Sequence, residues 1–302
     1  MNYILTTSNL TKTYGSVHAA ENIDIHIRKG EIYGLIGRNG AGKTTIMRML
    51  SGLSTPSSGS FSFERQRKGG IGVGALIEAP GLYPKLSAYD NLKIKCIGLG
   101  VHKEDRDAYI RELLTLVGLQ DTGKKPTRSF SLGMRQRLGI ALALVGDPEM
   151  IILDEPINGL DPQGIAEVRR MLERLKEEKD ITIMVSSHIL DELSKIADSY
   201  GIIHEGRLLD EFTAEDLMKR CGEFVTGKAD DLPSAERILR EMGFEMISFD
   251  HNNDLRVDEA TDRTREMIAA LAKADVGLRE LYVTRLSLED FYLNMTGGAG
   301  NA

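Results

Sequence analysis

The chain has no tryptophan, and only two of its 302 residues are cysteines. Cys96 and Cys221 stand far apart and form no CxxC pair. A disulfide framework or a thiolate zinc site is therefore not expected, and a reducing cytosol fits. Long apolar runs are missing too: nowhere do eighteen apolar residues follow one another, so no helix is expected to span a bilayer. The opening residues, MNYILTTSNL, have neither a basic stretch nor a long apolar one, and no signal peptide is read there. Positive charge is in deficit, 38 Lys and Arg against 45 Asp and Glu, for a net charge of -7. A nucleic-acid partner usually leaves a basic footprint, and this balance argues against one. What remains is an ordinary globular composition, 41% hydrophobic and 27% charged. The length suits one large domain, or a domain of about two hundred residues with a smaller one beside it.

The order of elements predicts an α/β fold. Glu31-Ile36 is a short apolar run followed by a glycine-rich turn and a helical stretch, Thr44-Ser51. Met150-Leu153 and Ile181-Ser186 read as two more buried strands, with helical runs at Leu138-Val145 and Ile165-Lys179. Strands separated by helices imply a parallel sheet covered on both faces. Leu5-Arg28 alternates more and predicts antiparallel strands. Leu86-Leu119 reads mostly helical, with Ser87 as a cap and Asp90 in the capping-box position, which suggests a helical lobe over about 79–145. Beyond Arg220 the pattern changes to strand (Glu223-Thr226), helix (Pro233-Met242), strand (Met246-Phe249), a turn at His251-Asn252-Asn253, strand (Asp254-Val257), helix (Asp262-Ala274) and strand (Leu278-Val283). This predicts a small α+β domain of ferredoxin-like type over 220–302, after a larger domain over 1–219.

Residues 37–44 read GRNGAGKT, a GxxxxGK[ST] motif set after a strand and before a helix. Glycines let such a loop turn tightly and aim backbone N–H groups at phosphates, and the following helix adds its positive end. Gly37, Arg38, Asn39, Gly40, Ala41, Gly42, Lys43, Thr44 and Thr45 form the candidate phosphate-binding set. Lys43 is expected to reach the β- and γ-phosphates, the Thr44 hydroxyl to hold Mg²⁺, and Thr45 either to cap the helix or to touch the α-phosphate. In MIILDE, residues 150–155, a buried strand delivers Asp154 and Glu155 to its carboxyl end, where ligands of open α/β sheets bind. Strand alternation is expected to send the two carboxylates to opposite faces. Asp154 would then hold Mg²⁺ through water, while Glu155 deprotonates the attacking water.

Between these motifs, Phe130-Leu138 reads FSLGMRQRL and resembles the LSGGQ-x-QR signature of ATP-binding cassette (ABC) proteins, with departures at Leu132 and Met134. Asn158-Gly159-Leu160-Asp161 stands where that family has its D-loop. His188, in VSSH, matches the switch histidine, and Tyr14, in KTYG, matches the aromatic that stacks on adenine. The ordered set spans about two hundred residues and resembles a P-loop NTPase of the ABC cassette type. The resemblance implies a mixed core sheet with an inserted helical lobe, ATP as substrate with Mg²⁺, and catalytic roles for Glu155 and His188. Ser131 and Gly133 are expected to precede a helix over Arg135-Val145, and the resemblance implies that they act on the ATP of a second, opposed cassette. A chain with one loop and one signature then needs a partner, most simply a second copy, with ATP bridging the pair.

Glu78 stands where the family has glutamine, and is expected as an Mg²⁺ ligand beside Thr44 and Asp154. That glutamate, the stretch IGVGALIEAPGLYPKLSAYDNL and the SLGMRQRLG signature look like the bacitracin-resistance and lantibiotic-immunity branch. The resemblance implies an ATPase subunit on the inner face of the membrane, bound to an integral permease and out of contact with cargo. A soluble regulator acting on ribosomes or nucleic acid is the alternative. Ribosome-acting relatives usually carry two cassettes, DNA-repair relatives carry a long coiled coil, and this acidic single cassette shows neither. A non-hydrolysing cassette is disfavoured by the presence of Lys43, Asp154, Glu155 and His188.

Overall fold

In a computed structural model of the chain, residues 2–64, 72–220, 223–249, 254–258, 261–285 and 288–297 are described. Two compact units divide the chain, Met1–Ala214 and Glu215–Ala302.

The first unit begins with antiparallel strands β1 (Tyr3–Tyr14), β2 (Val17–Ile23) and β3 (His26–Arg28). With β5 (Ser58–Phe63) they form a sheet in which β1 pairs with all three others. The second sheet has six strands in the order β10-β9-β4-β8-β7-β6. These are β4 (Ile32–Ile36), β6 (Val73–Leu76), β7 (Met150–Leu153), β8 (Thr182–Ser187), β9 (Ser199–His204) and β10 (Arg207–Thr213). Five are parallel, and β10 returns antiparallel on β9. Every residue of β4, β7 and β8 is buried, as strands in a doubly covered parallel sheet should be. Sequence patterning found these three strands but missed β9 and β10, because SYGIIH and RLLDEFT mix polar and apolar residues without a clean period.

Helix α1 (Lys43–Leu50) packs between the two sheets. Its Ile46, Met47, Met49 and Leu50 join Ile4, Leu10, Ile23 and Ile27 of the antiparallel sheet and Leu35, Ile152 and Met184 of the parallel one in a single core. Each such side chain, fully buried, contributes roughly 1.5–3 kcal/mol, so the phosphate loop that opens α1 is anchored in a large apolar core. Between β6 and β7 the chain inserts α2 (Ala88–Gly98), α3 (Arg106–Leu116) and α4 (Leu132–Leu144), the expected helical lobe. Ser87 caps α2: its hydroxyl accepts the Asp90 amide at 3.1 Å and donates to the Asp90 carboxylate at 2.6 Å. Helix α5 (Pro162–Lys179) joins β7 to β8, and the single turn α6 (Leu190–Leu193) follows β8. No helix among the described residues is long and apolar enough to cross a membrane.

The second unit contains most of α7 (Ala214–Arg220), then β11 (Glu223–Ala229), α8 (Leu232–Glu241), β12 (Ile247–Phe249), β13 (Leu255–Val257), α9 (Thr264–Lys273), β14 (Leu278–Arg285) and α10 (Leu288–Met295). Its sheet is antiparallel throughout, in the order β12-β13-β11-β14. Its core is Val225, Leu239, Phe244, Leu255, Val257 and Met267. The turn expected at His251-Asn252-Asn253 lies outside the described residues.

Candidate active site

In the parallel sheet, β8 lies between β4 and β7. The carboxyl ends of these neighbours carry, in turn, the phosphate loop, His188 and the Asp154-Glu155 pair. The loop demands glycine where it doubles back. Gly42 sits at φ +109°, and a Cβ there would lie 2.4 Å from the Ala19 carbonyl oxygen. At Gly37 a Cβ would lie 2.5 Å from the carbonyl oxygen of Ile203. Gly42 also stands at the N-terminus of α1 and offers no side chain as a cap, which leaves the first amides of the helix open to an anion.

Lys43 is only 5% exposed. Its Nζ donates to the Gly37 carbonyl at 2.6 Å and to that of Arg38 at 3.3 Å, and lies 3.3 Å from Glu155 Oε1. The ammonium is thus held inside its own loop by three protein oxygens. The Thr44 hydroxyl donates to Asp154 Oδ2 at 2.8 Å. Asp154, itself buried, accepts on Oδ1 from Ser186 at 2.6 Å, and the Ser186 hydroxyl also accepts the Glu155 amide at 2.9 Å. Glu155 faces His188, with Oε2 at 2.7 Å from Nδ1, while its buried Oε1 has no hydrogen-bond partner. The separation of the two carboxylates does not come from strand alternation as expected. Strand β7 ends at Leu153, and Glu155 adopts a left-handed conformation, φ +49°, which turns it away from Asp154.

A cavity of about 440 Å³ opens over this ground. It is lined by residues 38–40 and 42–45 of the loop and by Glu155. Gly37 and Ala41 do not line it. Ala41 instead accepts the Gly206 amide at 2.9 Å, which ties the loop to the β9-β10 turn. Sequence reasoning missed Val17, His18, Ala19, Glu205 and Gly206, which complete the lining, and Ser186 beneath it. Two adjacent serines at the end of ITIMVSS were the available signal for the last.

Several expected roles are placed differently. Thr45 lines the cavity and does not cap α1, whose cap position is Gly42. Tyr14 is not among the lining residues. It is 49% exposed at the end of β1, with Lys12 Nζ 5.1 Å from its ring centre, and its strand partner Val17 reaches the cavity instead. The signature helix begins at Leu132 and not at Arg135, so Gly133 lies in its first turn and does not precede it. Ser131 is the cap, its Oγ accepting the Met134 amide at 3.2 Å. Neither Ser131 nor Gly133 lines this chain's cavity. Leu132 and Leu160 stand close to Gly159 and Gly133 respectively, so the D-loop packs on the signature.

The expectation for Glu78 as a metal ligand beside Thr44 and Asp154 is not met by its placement. Its side chain is 60% exposed, outside the cavity lining, and its Oε1 pairs with Arg48 Nη2 at 2.5 Å. The backbone at Glu78 is left-handed, φ +61°, immediately past β6, and Arg48 extends from α1 to meet it. An unshielded carboxylate settles on the nearest free guanidinium.

Among the described residues no group of three or more His, Cys, Asp and Glu could hold a metal ion. Mg²⁺ does not need one, because it keeps waters and phosphate oxygens and takes only one or two protein ligands. The hydroxyl of Thr44 and the carboxylate of Asp154 fit that demand, and Glu155 Oε1, which has the Lys43 ion pair but no hydrogen bond among the described residues, fits an attacking water.

Residues 20–158 match the ABC transporter family. The chain is 40% identical over 306 aligned residues to the bacitracin transport ATP-binding protein BcrA of Bacillus licheniformis, covering 99% of each chain. It is 48% identical over 211 residues to the lantibiotic transport ATP-binding protein SrtF of Streptococcus pyogenes, covering 69% of this chain and 90% of that one. Among solved structures, CbiO1 of Clostridium perfringens, part of an ABC transporter complex, aligns with a TM-score of 0.64 at 25% identity over 80% of this chain and 98% of its own. A dimeric ATP-binding cassette bound to ADP and phosphate aligns with a TM-score of 0.63 at 24% identity over 70% of this chain and 98% of its own. The chain belongs to the ABC transporter family, as an ATP-binding subunit with the family's ATPase fold.

Proposed function

We propose that this chain binds Mg²⁺ and ATP, works as one of two copies, and hydrolyses the ATP to drive a membrane permease that exports peptide antibiotics of the bacitracin or lantibiotic type. The observation that carries the ATPase reading is the gathering of Lys43, the Thr44-Asp154 pair and the Glu155-His188 pair at neighbouring strand ends around one cavity. The export reading rests on the relatives, which include BcrA along the whole length of the chain, second unit included.

Each residue's part follows from its surroundings. Loop amides and the α1 N-terminus receive the phosphates, and Lys43 exchanges its carbonyl partners for phosphate oxygens. Thr44 and Asp154 hold Mg²⁺, which when bound neutralises charge on the phosphates. Glu155 Oε1 accepts the proton of the attacking water, and His188 fixes the Glu155 carboxylate through Oε2. Ser131 and Gly133, outside this chain's own cavity, serve the ATP of the opposed copy. That placement supports a homodimer with ATP at its interface. The acidic second unit is read as a ferredoxin-like accessory domain, a reading supported by its βαββαβ order. The chain then lies on the inner membrane face only through the permease.

The test is Lys43→Ala, both purified and in cells carrying the membrane protein that co-purifies with the tagged chain. Phosphate release should vanish and protection against bacitracin or a lantibiotic should be lost. Loss of turnover with protection intact would overturn the export reading, and normal turnover would overturn the site itself.

A further inference from the structure

One charged residue of the cavity has no part in the chemistry above. Glu205 occupies the tight turn between β9 and β10 in a left-handed conformation, φ +47°, a strained choice for a glutamate. The turn is held rigidly. The Gly206 amide donates to Ala41 of the phosphate loop at 2.9 Å, and its carbonyl accepts the Glu21 amide at 2.7 Å. The Glu205 side chain is 86% exposed, and His204 Nε2 at 4.0 Å is its one ion-pair contact among the described residues. Even so, it lines the cavity.

The position of this carboxylate limits what it can touch. The γ-phosphate and metal end is marked by Lys43, Thr44, Asp154 and Glu155. Glu205 enters the lining from the β9-β10 turn, where Gly206 stands beside Gly42 and Ala19. A carboxylate repels phosphate oxygens, so the contact it can make with a nucleotide is with a part that donates hydrogen bonds. On that side the lining also holds Val17, His18 and Ala19, and the exposed Val17 offers an apolar surface on which a base can rest. Between base and phosphates comes the sugar, whose two hydroxyls are donors. A carboxylate that accepts from ribose hydroxyls is an established way for proteins to read that sugar.

We propose that Glu205 is a specificity-determining residue that accepts hydrogen bonds from the ribose hydroxyls of the bound nucleotide and so favours ATP over its deoxy analogues. The proposal rests on the ATPase reading above. It assigns to the β9-β10 turn a recognition role separate from phosphate binding and from hydrolysis.

The experiment measures binding by calorimetry and steady-state KM for ATP, 2′-deoxyATP, 3′-deoxyATP and GTP, with wild type, Glu205→Gln and Glu205→Ala. One hydrogen bond at an exposed site predicts that wild type prefers ATP to at least one deoxy analogue by about fivefold. In Glu205→Ala that ratio should fall to near one, by weakening ATP and leaving the deoxy analogue where it was. Glu205→Gln keeps an amide oxygen as acceptor and should retain part of the ratio. It also remains informative should the alanine variant fold poorly in the strained turn. An ATP to deoxyATP ratio unchanged by both substitutions overturns the proposal. So does a loss of discrimination against GTP with the deoxy ratios intact, which would place Glu205 at the base. A wild type that turns over no ATP would instead sink the ATPase reading, so the two failures are distinguishable.

Discussion

Replacing Glu155 by glutamine tests the assignment of the base most directly. Glu155 makes two contacts that matter, Oε2 with His188 at 2.7 Å and Oε1 with Lys43 at 3.3 Å. An amide can reproduce both, with its oxygen toward the Lys43 ammonium and its NH₂ toward His188 Nδ1 in the acceptor tautomer. The fold and the ATP site should therefore survive, and the melting temperature should move by no more than a few degrees. What the amide cannot do is accept a proton. A positioned general base contributes about 10²–10⁴ in rate, which at about 1.4 kcal/mol per tenfold raises the barrier by roughly 3–5 kcal/mol. Phosphate release should fall by that factor while the ATP dissociation constant stays within about threefold. With hydrolysis blocked, the bridging γ-phosphate persists, and size-exclusion chromatography in ATP should show a dimer that wild type does not accumulate. A variant with wild-type turnover that elutes as a monomer would refute both the base assignment and the ATP-bridged pair.

His188→Ala should lower turnover by about 10²-fold with ATP affinity nearly unchanged, measured by phosphate release against nucleotide titration; an equal loss of both would indicate a damaged fold instead. Gly42→Ala brings a Cβ within 2.4 Å of the Ala19 carbonyl at φ +109°, so thermal denaturation should show about 1–3 kcal/mol of lost stability, and ATP binding should fail. Wild-type affinity in that variant would contradict the loop geometry. Arg48→Ala removes the partner of Glu78. If the freed carboxylate turns to the metal, the Mg²⁺ concentration for half-maximal turnover should drop below that of wild type, and Arg48→Ala with Glu78→Ala should restore or exceed the wild-type value. Superimposable Mg²⁺ curves for all three proteins would confine Glu78 to its surface ion pair.

Much of the site was legible because its chemistry is written in short, rigid segments. GRNGAGKT must turn where glycines permit, and MIILDE must bury four apolar residues before two carboxylates can emerge. Their strand contexts are fixed by full burial, which leaves a strong apolar signature. The rest of the site depends on contacts far apart in sequence. Nothing local says that Glu205 and Val17 share a cavity, because that follows from the pairing of β9 with β4 and of β1 with β2. The position of Glu78 was unreadable for a related reason. Its choice between Thr44 and Arg48 depends on one left-handed residue, and both candidates lie on the same face of α1, one turn apart. The start of the signature helix was misjudged because Leu132 and Gly133 replace no turn signal; the true signal was Ser131, whose capping bond sets the boundary three residues earlier.

Ser186 joins two functions through a single oxygen atom. Its hydroxyl donates its one hydrogen bond to Asp154 and accepts one from the Glu155 amide. On the proposed roles, the metal end and the water end of the site share one fastening, and a change at residue 186 disturbs both. Metal affinity and turnover should be inseparable in variants at that position. On the same roles, a variant that keeps normal metal affinity yet idles should arise elsewhere, at Glu155 or His188, where the two ends have already parted company.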